Sequence, residues 1–254
     1  MFPLRDENPT FRTSFLTFII IGLNVAVWIF IQGMGREPHV SRSICRFGLI
    51  AGELLGTVNE GTRITISRDT QCVIGEPNWF TVFSSMFLHG GWFHLIGNMW
   101  FLYVFGDNIE DSTSRVKFVF FFLLCGLAAS AAQMLSNPAS PVPMVGASGA
   151  ISGVMGAYAV LYPKAPVHML IFLGFFITRI VIPAYLLLGY WFLIQFLGAL
   201  PALTGESNGG GIAFWAHIGG FIAGVILIPF FQNKNQVHLH REALEERWRW
   251  RDEG

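Results

Sequence analysis

Four polar side chains, His94, Asn98, Ser148 and His217, lie in or at the edge of otherwise apolar stretches. A polar group at membrane depth is costly, so each asks for a reason. Ser148, in Gly146-Ala147-Ser148-Gly149, follows a segment interrupted by Pro138, Pro141 and Pro143, which forbid continuous helix. The serine should open a helix, where free backbone N–H groups and the positive end of the helix dipole suit an oxyanion. Taken alone, it would more simply be an N-cap in a turn. His217 sits in the last apolar run, with Gly220 and Gly224 making a small-residue stripe, and Gly149, Gly153 and Ala157 make a matching stripe after Ser148. Such stripes let two helices approach closely. Close approach would bring Ser148 and His217 within hydrogen-bond reach, as a nucleophile and its base require. His94 and Asn98 are one turn apart, so they share a helix face, and both can donate to a developing negative oxygen. A polar pair gluing helices together is the plainer alternative for these two.

What is missing narrows the chemistry. Between Asp111 and Glu242 the only acid is Glu206, in a predicted loop. No carboxylate is available in a span to orient His217, so a Ser–His dyad is expected rather than a triad. The Gly-x-Ser-x-Gly elbow of soluble hydrolases fails at Ala150. No carboxylate or thiolate joins His89, His94 and His217 in the spans, which argues against a zinc site.

The elements that must position these residues are membrane helices. Of the 254 residues 53% are hydrophobic and 13% charged, about half the charge of an ordinary soluble domain. With a formal net charge of zero, there is no electrostatic case for nucleic acid. Apolar runs predict spans over Ser14 to Gln32, Trp92 to Phe105 (stopped by Gly106-Asp107 and Glu110-Asp111), Phe118 to Leu135, Ser148 to Tyr162, Val181 to Leu200 and Ile212 to Phe231. His168 to Ile180 reads as a surface or re-entrant segment, with a further span as the alternative. The fourth helix is about 22 Å long, too short to cross alone. Its start should therefore lie below the membrane surface, where irregular backbone survives only inside protein or beside water. The fold class expected is an all-α, six-span bundle over residues 14–232, with a polar N-terminus over 1–13 and a charged tail over 233–254, solvated or surface-lying. Of the 16 Lys and Arg, eleven fall in the termini and the second and fourth loops, and five in the long first loop from Gly33 to Asn78. The positive-inside rule then puts both termini in the cytosol. Cys45 and Cys72, in that first loop, would face an oxidising space and are expected to pair, while Cys125 lies in an apolar run.

At these residues the sequence resembles the rhomboid family of intramembrane serine proteases. The resemblance rests on three ordered motifs: His89-x-x-x-x-His94-x-x-x-Asn98, Gly146-Ala147-Ser148-Gly149 and Ala216-His217-x-x-Gly220-x-x-x-Gly224. It implies peptide-bond hydrolysis at or in the membrane of single-span protein substrates. Ser148 would be the nucleophile, His217 its base, and His94, Asn98 and the Ser148 N–H the oxyanion hole. It implies no metal or organic cofactor. The site would open to the outer face of a multi-pass protein, in a bacterial inner membrane, under a lid from Pro201 to Gly211. Two positions depart from the family pattern. Trp79-Phe80 stands where members often carry Trp-Arg, and Ser152 stands where many have an aromatic ring against the catalytic histidine. Trp215, Tyr158 or water would then hold His217. An inactive family member would be expected to lack the serine or the histidine, and a channel would show ionisable groups along a path.

Overall fold

The computed structural model describes residues 2–68, 70–173, 176–203 and 212–252. Six helices form the body: Phe15–Phe30, Trp92–Thr113, Arg115–Ser136, Ser148–Leu161, Ala184–Leu203 and Phe214–Phe231. With the shorter helices His39–Phe47, Ala51–Leu54 and Thr81–Ser84 and the terminal helix Lys234–Asp252, they are numbered α1 to α10 in chain order. Three of them, α6, α8 and α9, are long and apolar enough to cross a membrane, and α1 and α7 are apolar but shorter. The central element is α7, in which every residue from Gly149 to Tyr158 is buried. The aromatic residues Phe105, Phe118, Phe121 and Phe122 pack in the same core.

The second apolar stretch does not stop at Gly106-Asp107. Helix α5 continues to Thr113, because the acids meant to end it have partners. The Glu110 carboxylate accepts the Leu16 and Thr17 backbone N–H groups at 2.9 and 2.7 Å, and the Thr17 hydroxyl at 2.8 Å. It thus caps the start of α1, where four N–H groups lack helical partners and the dipole favours an anion. Asp111 accepts the Phe11 N–H at 2.6 Å, the Gln236 amide at 3.1 Å and a His240 Nε2 contact at 3.0 Å.

The chain also contains strands, which the all-α expectation did not include. Phe2–Asp6 (β1) pairs antiparallel with Pro166–Leu173 (β4), which pairs with Phe176–Pro183 (β5). The segment expected to be surface-lying or re-entrant is therefore a hairpin. Its sequence, dense in β-branched and aromatic residues, suits a pleated surface better than a helix. A second hairpin, Arg63–Ser67 (β2) with Thr70–Val73 (β3), lies in the first loop, and Cys45 and Cys72 are joined by a disulfide there.

The tail is not simply solvated. Gln236, Val237, His240 and Leu244 form a buried stripe on α10, at the spacing of one helix face. His240 also reaches Asn8 Oδ1 at 3.1 Å. The N-terminal segment, the end of α5 and the tail are thus clasped at the end of the bundle where α1 begins. Most of the lid expected from Pro201 to Gly211 lies outside the described residues.

Asp111 and His240 both have fully buried side chains. Losing a buried hydrogen bond to a charged group typically costs about 2 kcal/mol, so His240→Ala should clearly lower the thermal midpoint of the detergent-purified protein. At Asp6, burial first, then the nearby Asp107 charge, raise the carboxyl from 3.8 to about 8. Between these values the folded state holds a proton that the unfolded state has released. Stability should therefore fall as pH rises from about 4 to about 8, and Asp6→Asn should flatten that slope in a pH series of thermal midpoints.

Candidate active site

The site forms where α7 and α9 touch backbone to backbone. A Cβ on Gly220 would lie 2.0 Å from the Gly149 carbonyl oxygen, and one on Gly224 would lie 1.9 Å from that of Gly153. Gly149 and Gly153 are closed from the α6 side, where added Cβ atoms would meet Ala129 at 2.5 Å and Cys125 at 2.4 Å. Only hydrogen fits at these contacts, and the approach sets Ser148 Oγ 2.8 Å from His217 Nε2.

Ser148 opens α7, as its position after the proline segment predicts. The first loop holds that segment in place. Leu49 and Met144 exchange both backbone hydrogen bonds, at 3.0 and 2.7 Å, and the Gly146 N–H donates to the Ser85 carbonyl at 2.9 Å. Gly146 has φ +128°, and a Cβ there would lie 2.7 Å from His94 Nε2. Glycine at this position gives both the turn and the room for the imidazole beside the serine.

His94, Asn98, Ser148 and His217 line one open cavity of about 200 Å³, with Trp191 and Met155 on its walls. The Gly90 N–H donates to His94 Nδ1 at 3.3 Å. That leaves the proton on Nε2, which faces Gly146 and the cavity. The Asn98 side-chain nitrogen is buried and has no hydrogen-bond partner among the described residues. A buried donor without an acceptor carries a free-energy cost, and here it borders the cavity that contains the nucleophile. The two donors and the serine thus surround one space in which an oxygen would be welcome. His89 lies outside this set. Its ring sits edge-on to His94 at 5.1 Å, and the Gln32 amide holds its backbone N–H and carbonyl, both at 2.8 Å.

The surroundings of His217 differ from those expected. Tyr158 is buried elsewhere, its hydroxyl bonded to Asp6, and the Trp215 indole nitrogen has no partner among the described residues. Ser152 turns back to the Ser148 carbonyl at 2.6 Å. Instead α8 supplies two side chains, one turn apart. Trp191 sets its ring beside the imidazole at 5.7 Å and 41°, and Gln195 Oε1 lies 2.8 Å from His217 Nδ1. Gln195 was missed in the sequence, although it is a lone polar residue in a spanning run. Like Asn98, it is a polar group that is costly at membrane depth.

The Rhomboid domain family matches residues 76–234, more than half of the chain. Rhomboid-like protein 11, chloroplastic, of Arabidopsis thaliana is 29% identical over 60% of this chain and 52% of its own length. Rhomboid protease GluP of Bacillus subtilis (strain 168) is 30% identical over 66% of this chain and 29% of its own. Rhomboid protein 1, mitochondrial, of Saccharomyces cerevisiae (strain ATCC 204508 / S288c) is 23% identical over 92% and 58%. The chain thus spans about half the length of these curated relatives, or less.

If close backbone contact sets the Ser148–His217 distance, Gly224→Val should part the helices. Labelling of Ser148 by a fluorophosphonate probe, which reports an activated serine, is then expected in the native chain and absent in the variant.

Proposed function

This chain belongs to the rhomboid family, and from that premise we propose that it is an intramembrane serine endopeptidase acting on single-span membrane proteins. Its family and apolar helices make it an integral membrane protein. The observation that carries the proposal is the 2.8 Å Ser148–His217 contact, in a cavity that also holds the Asn98 side-chain nitrogen, unpartnered among the described residues.

The geometry supports the following steps. Ser148 Oγ attacks the scissile carbonyl carbon while His217 Nε2 takes its proton. The carbonyl oxygen, now negative, is met by Asn98 Nδ2, His94 Nε2 and the backbone N–H of Ser148 at the first residue of α7. Such donors stabilise charge most where water is sparse. Collapse of the adduct breaks the C–N bond, and His217 returns the proton to the leaving amine. Water then attacks the acyl-serine by the same route and frees Ser148.

Six spans, α1 and α5 to α9, form the proposed catalytic unit over residues 14–232, flanked by 1–13 and 233–254, and the described N-terminal residues and α10 are clasped at its cytosolic end. Two features support that sidedness, the charge bias of the loops and the Cys45–Cys72 disulfide at the opposite end, and the serine lies near that opposite end. The active site then opens to the outer face. The relatives' names include chloroplast and mitochondrial forms as well as a Bacillus one, so the proposal is a sidedness and not the bacterial inner membrane.

The test is cleavage of a single-span reporter by the protein reconstituted in vesicles. The native chain should cut it and Ser148→Ala should not, and equal cleavage by both would end the proposal. Asn98→Ala should slow cleavage by ~10-fold or more, the low side of what loss of one oxyanion donor costs.

A further inference from the structure

We propose that Gln195 is a positioning residue for His217, so that the catalytic unit is a Ser148–His217–Gln195 chain with a neutral amide as its third member. The inference rests on the protease reading. It deepens that reading by saying how a base with no carboxylate partner is oriented.

The geometry fixes each hydrogen bond in turn. A glutamine amide has two similar ends, and its surroundings decide which faces the histidine. Gln195 Nε2 lies 3.4 Å from the Trp191 carbonyl oxygen, one turn back on α8. A carbonyl accepts only, so the NH₂ end belongs there and Oε1 faces His217. Oε1 in turn accepts only, so His217 Nδ1 must carry the ring proton across the 2.8 Å contact. Nε2 is left with its lone pair toward Ser148 Oγ at 2.8 Å. This is the tautomer that can take the serine proton. Gln195 is 8% exposed, so water competes little for its oxygen. With Trp191 against the ring, α8 holds the imidazole by one face and one edge.

When the serine proton reaches Nε2, the ring becomes cationic and keeps its Nδ1–H on Gln195. The amide dipole then faces the new charge without itself ionising. Among the described residues no carboxylate is bonded to His217. A permanent charge at this depth would need its own compensation, and a neutral acceptor does not.

Two variants of the purified full chain test the inference, with the single-span reporter and with folding checked by thermal midpoint. Gln195→Leu keeps the bulk and removes the acceptor. It should lower kcat on the order of 10-fold to 100-fold, less than the roughly 100-fold to 10,000-fold that a general base itself contributes, with KM changed little. Gln195→Glu supplies a carboxylate at the same place. It should recover activity at higher pH and move the acid limb of the kcat/KM profile upward, because an anion favours the charged imidazole. A residue that merely packs would move rate or folding without moving that limb. Wild-type kinetics in a folded Gln195→Leu protein, or an unmoved acid limb in Gln195→Glu, would overturn the inference. Neither result touches the protease reading, which fails separately if Ser148→Ala cleaves as well as the native chain.

Discussion

The arrangement depends on the contact of two helix backbones. Gly220 and Gly224 on α9 meet the Gly149 and Gly153 carbonyls at distances that leave no room for a methyl group. In an apolar solvent there is little hydrophobic force between helices, so association relies on packing and on polar contacts. Backbone-to-backbone packing can be tight and can have one register. That register brings a residue from the start of α7 to one in the first turn of α9 at hydrogen-bond distance, although they are separated by 69 positions in sequence. The flanking parts maintain it: α6 closes the far side of the stripe, the first loop pins the proline segment before Ser148, and α8 holds the imidazole.

Much of this was legible in the residues. Ser148, His217, His94 and Asn98 are conspicuous because each is polar where its neighbours are not, and the glycine spacing says which helices must meet. The start of α7 was legible from the prolines before it. Other features were hidden for physical reasons. Asp107, Glu110 and Asp111 look like a helix stop, and only the three-dimensional position of the first residues of α1 makes Glu110 a cap. The run from His168 to Ile180 is apolar without a period that separates strand from helix, and its partner strand, Phe2–Asp6, is remote in sequence. Gln195 could have been flagged by its type, but nothing in the chain says that it reaches His217. The buried stripe of α10 lies within a strongly charged helix, so composition favoured solvent.

The two ends of α5 divide the labour. Its first turns carry His94 and Asn98 into the cavity. Its last turns carry Glu110 and Asp111 into the clasp that ties the N-terminal segment, α1 and α10 together. Buried carboxylates are tolerable there because N–H groups and an imidazole surround them. One continuous helix therefore connects the polar cluster that organises the termini with the polar cluster of the candidate site, across roughly 20 Å at 1.5 Å per residue.

The burial of α7 has a consequence for how the bilayer can act on the protein. Its 14 residues amount to about 21 Å of helix, against roughly 30 Å of hydrocarbon. A lipid-facing helix that short would force the bilayer to thin or its neighbours to rearrange, at a cost for each ångström of mismatch. From Gly149 to Tyr158 no side chain of α7 reaches the outside. Lipid-chain length and bilayer thickness thus press on α1, α8 and α9, whose exposed faces can answer by tilting, while the helix that bears the serine is insulated from the lipid it works within.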